Sequence, residues 1–587
     1  MFEGLKKQRD RYEMSEEQFT ELRHFYERLG FSDKQVKKLA ANCFGADVKI
    51  SKNQSYSPNW TFVRRSAPMQ SGGIFRTSSS MNQFFAGSAA PMRSCMAFES
   101  AVDACMDYDE GGVFSQAAIA PSENVLQRIS ALEKSMSSAE TRLSQEQEEH
   151  SPIDTPQCIF SANVNAASWS YLRSMIRRGR NIDRSFVRIE EIINSYPYTL
   201  ALPDNGDLFS VSTEISDCPW NDDAELFFVG LKGKKSDESV RQNLAFLVDV
   251  SGSMESNWIL VQMSIAAVIS RLKKGDTISI ISYSNETTTV AKQIDGGDVD
   301  KCVDAILSID GIGGCTYGSD GMEKAYAYLK EYYGEDANNR VFIFTDGDFN
   351  FGLTSEGQLK DFIYEKRKTG IYLSVVGYGE NNFKDNKMET LARNGNGNYN
   401  FITNPDDIFD SLWEKLVSNL VTVAKDVKIS IEFNPKYVCS YRLIGYDSRG
   451  LTQKEFNDTE KAVDGIGSEH NVAALIEFKK GEAKQTYSHR YVSATVDSSD
   501  EFAFIEIHYK SPDGENLVMT KPITLGDIEK SKPLNLGAAT LLAAFGLLVK
   551  DSEYKGSLTK KMLSEILKRT QGSLADGYQA VIEKYLN

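Results

Sequence analysis

The chain has 587 residues, more than one hydrophobic core ordinarily serves at about 50 to 250 residues per domain, so several units are expected. Its 41% hydrophobic, 11% aromatic and 25% charged residues are the composition of a globular protein and not of a disordered one. A formal net charge of -16, from 82 acidic against 66 basic residues, would repel a phosphate backbone; no basic patch with interleaved aromatics offsets it, which argues against nucleic acid as a partner.

The chain opens on MFEGLKKQRDRYEMSEEQF, which has neither an apolar core nor a small-residue cleavage pattern, so no secretory signal is read and a cytoplasmic location is expected. Within a first helical unit, residues 1–50, Phe19, Leu22, Phe25 and Leu29 and then Val36, Leu39 and Ala40 recur at helical spacing. Gly30-Phe31-Ser32-Asp33 splits them, with Ser32 as candidate N-cap, and the result is a helical hairpin. From 51 to 121 the composition turns to Ser, Gly, Met and Ala without sustained periodicity, which reads as a low-complexity linker, and a helix is expected over 122–150.

From Asn243 onward, short runs rich in Val, Ile and Phe alternate with amphipathic stretches of helical length. The runs are LAFLVDV (244–250), TISIISY (277–283), VFIFTD (341–346), IYLSVVGYG (371–379) and NYNFI (398–402). Near-continuous apolarity marks strands buried on both faces, and the alternation implies crossover helices, so 244–424 reads as a doubly wound, Rossmann-like α/β domain with a parallel sheet. After 425 the pattern becomes strand after strand, in VKISIEF, VCSYRLIGY, VAALIEF and EFAFIEIHY, with Asn434-Pro435 and Pro512-Asp513-Gly514 in the turns. Residues 425–525 are therefore expected to form an antiparallel, sandwich-like β unit on which 155–243 packs, and 526–587 returns to helix. The longest apolar run, 536–549, is shorter than the roughly 18 to 20 residues of a membrane span and reads as a buried core helix.

In an open α/β sheet, ligands bind outside the carboxyl ends of the strands. Three polar loops fall there. The first strand runs into Asp249-Val250-Ser251-Gly252-Ser253, a second loop carries Thr316, and the third begins at Thr345-Asp346-Gly347-Asp348. Hydroxyls and carboxylates are hard oxygen ligands, suited to Mg2+ and, with a change of radius and geometry, to Mn2+ or Ca2+. With few protein charges around it, such an ion keeps a position open for a carboxylate of another molecule. Serine and aspartate ahead of a helix are also ordinary N-caps, and it is the addition of Thr316 and Asp346 at the other strand ends that favours the metal.

Other motifs carry less. Gly395-Asn396-Gly397-Asn398 reads as a tight turn ahead of a strand. Gly233-Lys234-Lys235-Ser236 has Phe228 where a phosphate loop needs its first glycine and lies ahead of a strand, so nucleotide hydrolysis lacks support. His24, His150, His470, His489 and His508 belong to no ligand or nucleophile motif, the eight cysteines include no C-x-x-C pair, and there is no G-x-S-x-G. For metal-dependent hydrolysis only Glu255 and Asp348 are candidate bases near the three loops.

The three loops, in order, spacing and strand context, resemble the metal-ion-dependent adhesion site of von Willebrand factor type A domains. That resemblance implies that Asp249, Ser251, Ser253, Thr316 and Asp346 hold a divalent cation, directly or through water, and that a protein partner supplies an acidic group to it. FSANVNAASWSYLRSMI, VRIEEIINSYPY, AKDVKISIEFNP, YRLIGYDSRGL and DGIGSEH extend the resemblance, over roughly 155–587, to the bacterial YfbK-type subgroup. The sequence departs from that subgroup at Asn163 and Asn165, where aspartates are usual, and in showing no lipoprotein-type leader. The expected role is a non-catalytic adhesion or scaffold protein without a membrane span. The alternative the resemblance offers is a non-catalytic subunit beside a separate AAA-type ATPase, since type A domains accompany ring ATPases in chelatases.

Overall fold

The computed structural model describes residues 16–44 and 146–587 except 163–164, 205, 237–239, 310–311, 314–318, 348–361, 364, 380–384, 414–421, 448–449, 460, 462, 484–499, 513, 528–533 and 571–573. All of these belong to one unit, Met1–Arg65 with Leu143–Asn587. The expected linker over 51–121 and the expected helix over 122–145 lie outside the described residues.

The centre is a six-stranded sheet in the order β6-β5-β4-β7-β8-β9. Its strands are β4 (Arg241–Asp249), β5 (Thr277–Tyr283), β6 (Thr287–Asp295), β7 (Ala337–Thr345), β8 (Ile371–Tyr378) and β9 (Tyr399–Ile402). Five strands pair in parallel, as their two-sided burial requires. The chain goes from β4 outward to β5 on one side and returns to β7 on the other, so the topological switch point lies at the carboxyl ends of β4 and β7. The parallel sheet expected from the sequence carries one further strand at its edge, β6, which pairs antiparallel with β5. Its TTTVAKQID is mostly half-buried, so it lacks the apolar run that marks a central strand.

Two antiparallel sheets form a sandwich. One joins β1 (Gln157–Ser161), β10 (Thr422–Phe433), β14 (Glu501–Lys510) and β15 (Asn516–Thr524), with the short β12 (Ile466–Gly467) on β10; the other runs β11 (Val438–Leu443), β13 (Asn471–Lys480), β3 (Glu225–Gly233), β2 (Phe209–Asp217). Alternate residues of the two inner faces, among them Phe227, Val229, Ile431, Phe433, Ile476 and Ile505, close a common core. The segment ahead of the parallel sheet therefore supplies three of the sandwich strands as well as packing on it.

The major helices are α1 (Glu16–Arg28), α2 (Asp33–Phe44), α3 (Ala167–Arg177), α4 (Ile189–Ser195), α5 (Trp258–Ile269), α6 (Val299–Leu307), α7 (Ser319–Glu331), α8 (Asp385–Asn394), α9 (Leu536–Lys550), α10 (Lys560–Thr570) and α11 (Asp576–Leu586). α1 and α2 are the expected hairpin, and the backbone N–H of Ser32 donates to Gln35 Oε1 at the start of α2, one half of a capping box. One face of the parallel sheet, with α7 and α8, shares a continuous core with α3, α4, α9 and the outer face of the second sandwich sheet. α9 lies in the middle of that core as a buried helix, and no described helix is long and apolar enough to cross a membrane. The expected helix over 122–150 is corrected at its end. Residues 146–149 are not helical, and His150 exchanges backbone hydrogen bonds of 2.8 and 2.9 Å with Tyr441, a pairing only an extended chain can make.

Candidate metal centre

Three adjacent strands end together. Tyr283 closes β5, Asp249 closes β4 and Thr345 closes β7, and these side chains meet: the Tyr283 hydroxyl donates to Asp249 Oδ2 at 3.2 Å and Thr345 Oγ1 donates to the same oxygen at 3.1 Å. Asp249 Oδ1 accepts from the backbone N–H of Ser251 at 2.9 Å, which folds the loop back on the carboxylate. Asp249 and Thr345 are fully buried, Asp346 and Ser251 nearly so, and Ser253 is exposed. The Thr345 hydroxyl is oriented in turn by the N–H of Gly347 at 3.1 Å, in a backbone turn whose φ of 93° glycine adopts without strain.

The serines are not spent as helix caps. Ser251 stands at the N-cap of the short helical turn Gly252–Asn257 but makes no side-chain capping bond; its Oγ lies 3.1 Å from Ser253 Oγ. Two hydroxyls side by side above a buried carboxylate are what the ordinary capping explanation does not provide. Nor does any cationic side chain among the described residues pair with Asp249, whose partners are all neutral donors. Burial, with a smaller push from the negative charge of Asp346, raises the Asp249 carboxyl to about 6 against the pull of its hydrogen bonds from Ser251. The Tyr283 phenol is pushed well above its usual value by burial and by Asp249, which keeps it a neutral donor.

Of the expected ligands, Asp249, Ser251, Ser253 and Asp346 are thus placed at the switch point, while Thr316, with Asp348, lies outside the described residues. The loop that leads to Thr316 is held against the first one, since the N–H of Gly313 donates to the Val250 carbonyl at 2.8 Å. Sequence reasoning missed Tyr283 and gave Thr345, the first residue of the third loop, no role at the site. Both occupy the same strand-end position that singled out Asp249, and that position was the available signal. The donor set of two acids and two hydroxyls suits a hard cation, and an ion beside Asp249 would offset the charge that burial disfavours. No three His, Cys, Asp or Glu side chains cluster as a ligand set among the described residues, so a cation here depends on the hydroxyls.

The other motifs resolve structurally. Gly395 to Gly397 closes α8, with the Gly397 N–H bonded to the Ala392 carbonyl and Asn396 at a φ of 52°, as the turn reading expects. Gly233 ends β3 and the next described strand is β4, so the segment follows a strand as well as preceding one, a correction, and among the described residues no helix begins there to hold a phosphate. His508 pairs with Glu506 and packs on Phe456, and His470 is buried.

The family described as von Willebrand factor type A domain matches residues 243–412, the one described as uncharacterized protein YfbK, C-terminal, matches 418–585, and one described as von Willebrand factor matches 136–227. The uncharacterized protein YfbK of Escherichia coli (strain K12) is 30% identical over 441 residues, spanning 72% of this chain and 76% of that protein. Among solved structures, a von Willebrand factor type A protein from Catenulispora acidiphila aligns at 12% identity and TM-score 0.38 over 66% of this chain and 91% of its own. The ArnB paralog VWA2 from Sulfolobus acidocaldarius aligns at 13% and TM-score 0.33 over 64% and 97%.

Proposed function

Because the chain belongs to the YfbK family of von Willebrand factor type A proteins, we propose that it is a non-catalytic, divalent-metal-dependent protein-binding protein, an adhesion or scaffold component. The observation that carries this reading is the buried Asp249 carboxylate, beside Asp346 and beneath the paired hydroxyls of Ser251 and Ser253, with no cationic side chain among the described residues to balance it. Asp249, Ser251, Ser253 and Asp346, with Thr316 from the neighbouring loop, would hold Mg2+, Mn2+ or Ca2+. Once bound, the ion supplies an electrophilic position that a partner's carboxylate completes. The protein's own residues do the rest. Tyr283 and Thr345 fix the orientation of Asp249, and the exposed Ser253 opens the site to one side. A separate ATPase partner is the alternative expected from the sequence.

The direct test is calorimetric titration of metal-stripped full-length chain with Mg2+, Mn2+ and Ca2+. One site is expected in wild type, none in Asp249→Ala, and at least a tenfold loss of affinity in the Ser251→Ala, Ser253→Ala double variant with the fold intact. Equal titration of wild type and Asp249→Ala would remove the metal from the account.

A further inference from the structure

All twelve residues of α5 are buried, from Trp258 to Ile269, and its sequence WILVQMSIAAVI contains no charge. A helix on the outside of an α/β sheet ordinarily turns one face to water. Here that face is covered. On one side lies α6 and on the other the turn Ile408–Trp413, and the hairpin of α1 and α2 packs against both, its Leu22, Phe25, Tyr26, Leu29, Val36 and Leu39 joining the same core as α5. Phe25 packs on Phe409 at a centroid distance of 4.8 Å, with the Arg28 guanidinium 3.9 Å from the same ring. One turn of α2 reads one turn of α6: Gln35 Nε2 donates to Asp300 Oδ1 at 2.9 Å and Lys38 pairs with Asp304, contacts that fix the register at the exposed rim.

This cover comes from the far end of the chain. Residues 45–145 separate Phe44 from the body, and 101 residues can span at most roughly 340 Å, a length that permits reach to a neighbouring molecule. The groove is apolar, so it must be filled. The hairpin of a second copy can make the same contacts, Gln35 and Lys38 on Asp300 and Asp304 included. We infer that the outer face of α5 is a receptor site for an amphipathic helical hairpin, filled in the monomer by residues 16–44 and open to exchange with the same hairpin of a second copy of this chain. Metal at Asp249 plays no part in it.

Two measurements on full-length chains test this. A fluorescent synthetic peptide of residues 13–46 should bind the Phe25→Asp chain saturably in the micromolar range, bind wild type at least tenfold more weakly because its groove is already filled, and be indifferent to EDTA. An equimolar mixture of Lys38→Glu and Asp304→Lys chains at low salt, in which docking across two chains restores the opposite-charge pair, should hold about fivefold more two-chain species by native mass spectrometry than either parent alone. A Phe25→Asp chain that fails to fold would leave the decision to the mixture. Peptide that binds neither folded chain, or a mixture no richer in two-chain species than its parents, overturns the proposal.

Discussion

Asp249 holds its charge in a place that disfavours it, and this has a measurable consequence. In the unfolded chain its carboxyl titrates near 3.8, in the folded one at about 6, through burial first and the neighbouring Asp346 second. Between those values the folded chain keeps a proton that the unfolded chain has lost, so metal-free stability falls as pH rises from about 4 to about 6, by on the order of 3 kcal/mol from this group, and the cost persists above. Asp249→Asn removes the charge and keeps most of the shape. In EDTA at pH 7.5 it should therefore melt higher than wild type, while adding Mg2+ should raise the melting temperature of wild type alone; a variant less stable than wild type in EDTA would contradict the electrostatic reading. At this scale much of the site was legible. Asp249, Ser251, Ser253 and Asp346 stand out because polar residues directly after apolar strands are conspicuous. Tyr283 was not, nor was the role of Thr345 at the head of the third loop, because an aromatic and a β-branched residue at a strand end look like more strand, and only the register of β5, β4 and β7 brings both hydroxyls to one carboxylate.

Single elements depend on caps and close approaches that periodicity does not display. α9 begins at Asn535, which makes no side-chain capping bond of its own. Its first amides are satisfied from 321 residues away: Glu214, buried on β2, accepts from the N–H of Asn535 at 3.1 Å and from that of Leu536 at 2.8 Å. A carboxylate at a helix N-terminus is favoured by the exposed amides and the dipole. Glu214→Ala should cost about 2 to 3 kcal/mol in urea unfolding, because it leaves buried donors without their acceptor; a change below about 0.5 kcal/mol would show that the cap is dispensable. The sequence displayed α9 as an apolar run but gave no sign of Glu214, which looks like an outward-facing residue of an alternating strand. The same limit hid β6. An edge strand needs neither a two-sided apolar run nor strict alternation, and TTTVAKQID has neither.

The whole molecule is held together by charge as well as by apolar surface. Arg173 of α3 pairs with Asp407 just before the Ile408–Trp413 turn, both buried; Arg188 reaches Glu389 of α8 at 3.2 Å, and Arg367 reaches Asp426 of β10 at 3.2 Å. These pairs tie the parallel-sheet unit to the segments before and after it. Asp407→Ala strips the buried Arg173 guanidinium of its Asp407 carboxylate, for which about 3 to 5 kcal/mol of destabilisation is expected by chemical denaturation, whereas a loss under 1 kcal/mol would mean that the parallel sheet and the segment before it are not coupled through this pair. Strand-rich flanks around an α/β centre were readable from the change of pattern at 243 and 425. That the preceding segment supplies β1, β2 and β3 was less so, since pairing between residues some 250 apart leaves no local mark. Function belongs to this scale too, because a metal-completed site has meaning only with a partner in it. The most direct measurement is capture from the native cell with full-length wild type and Asp249→Ala, each in Mg2+ and in EDTA, read by mass spectrometry. A partner retained only by wild type in Mg2+ is the predicted result; the same partners in all four conditions would contradict metal-bridged recognition.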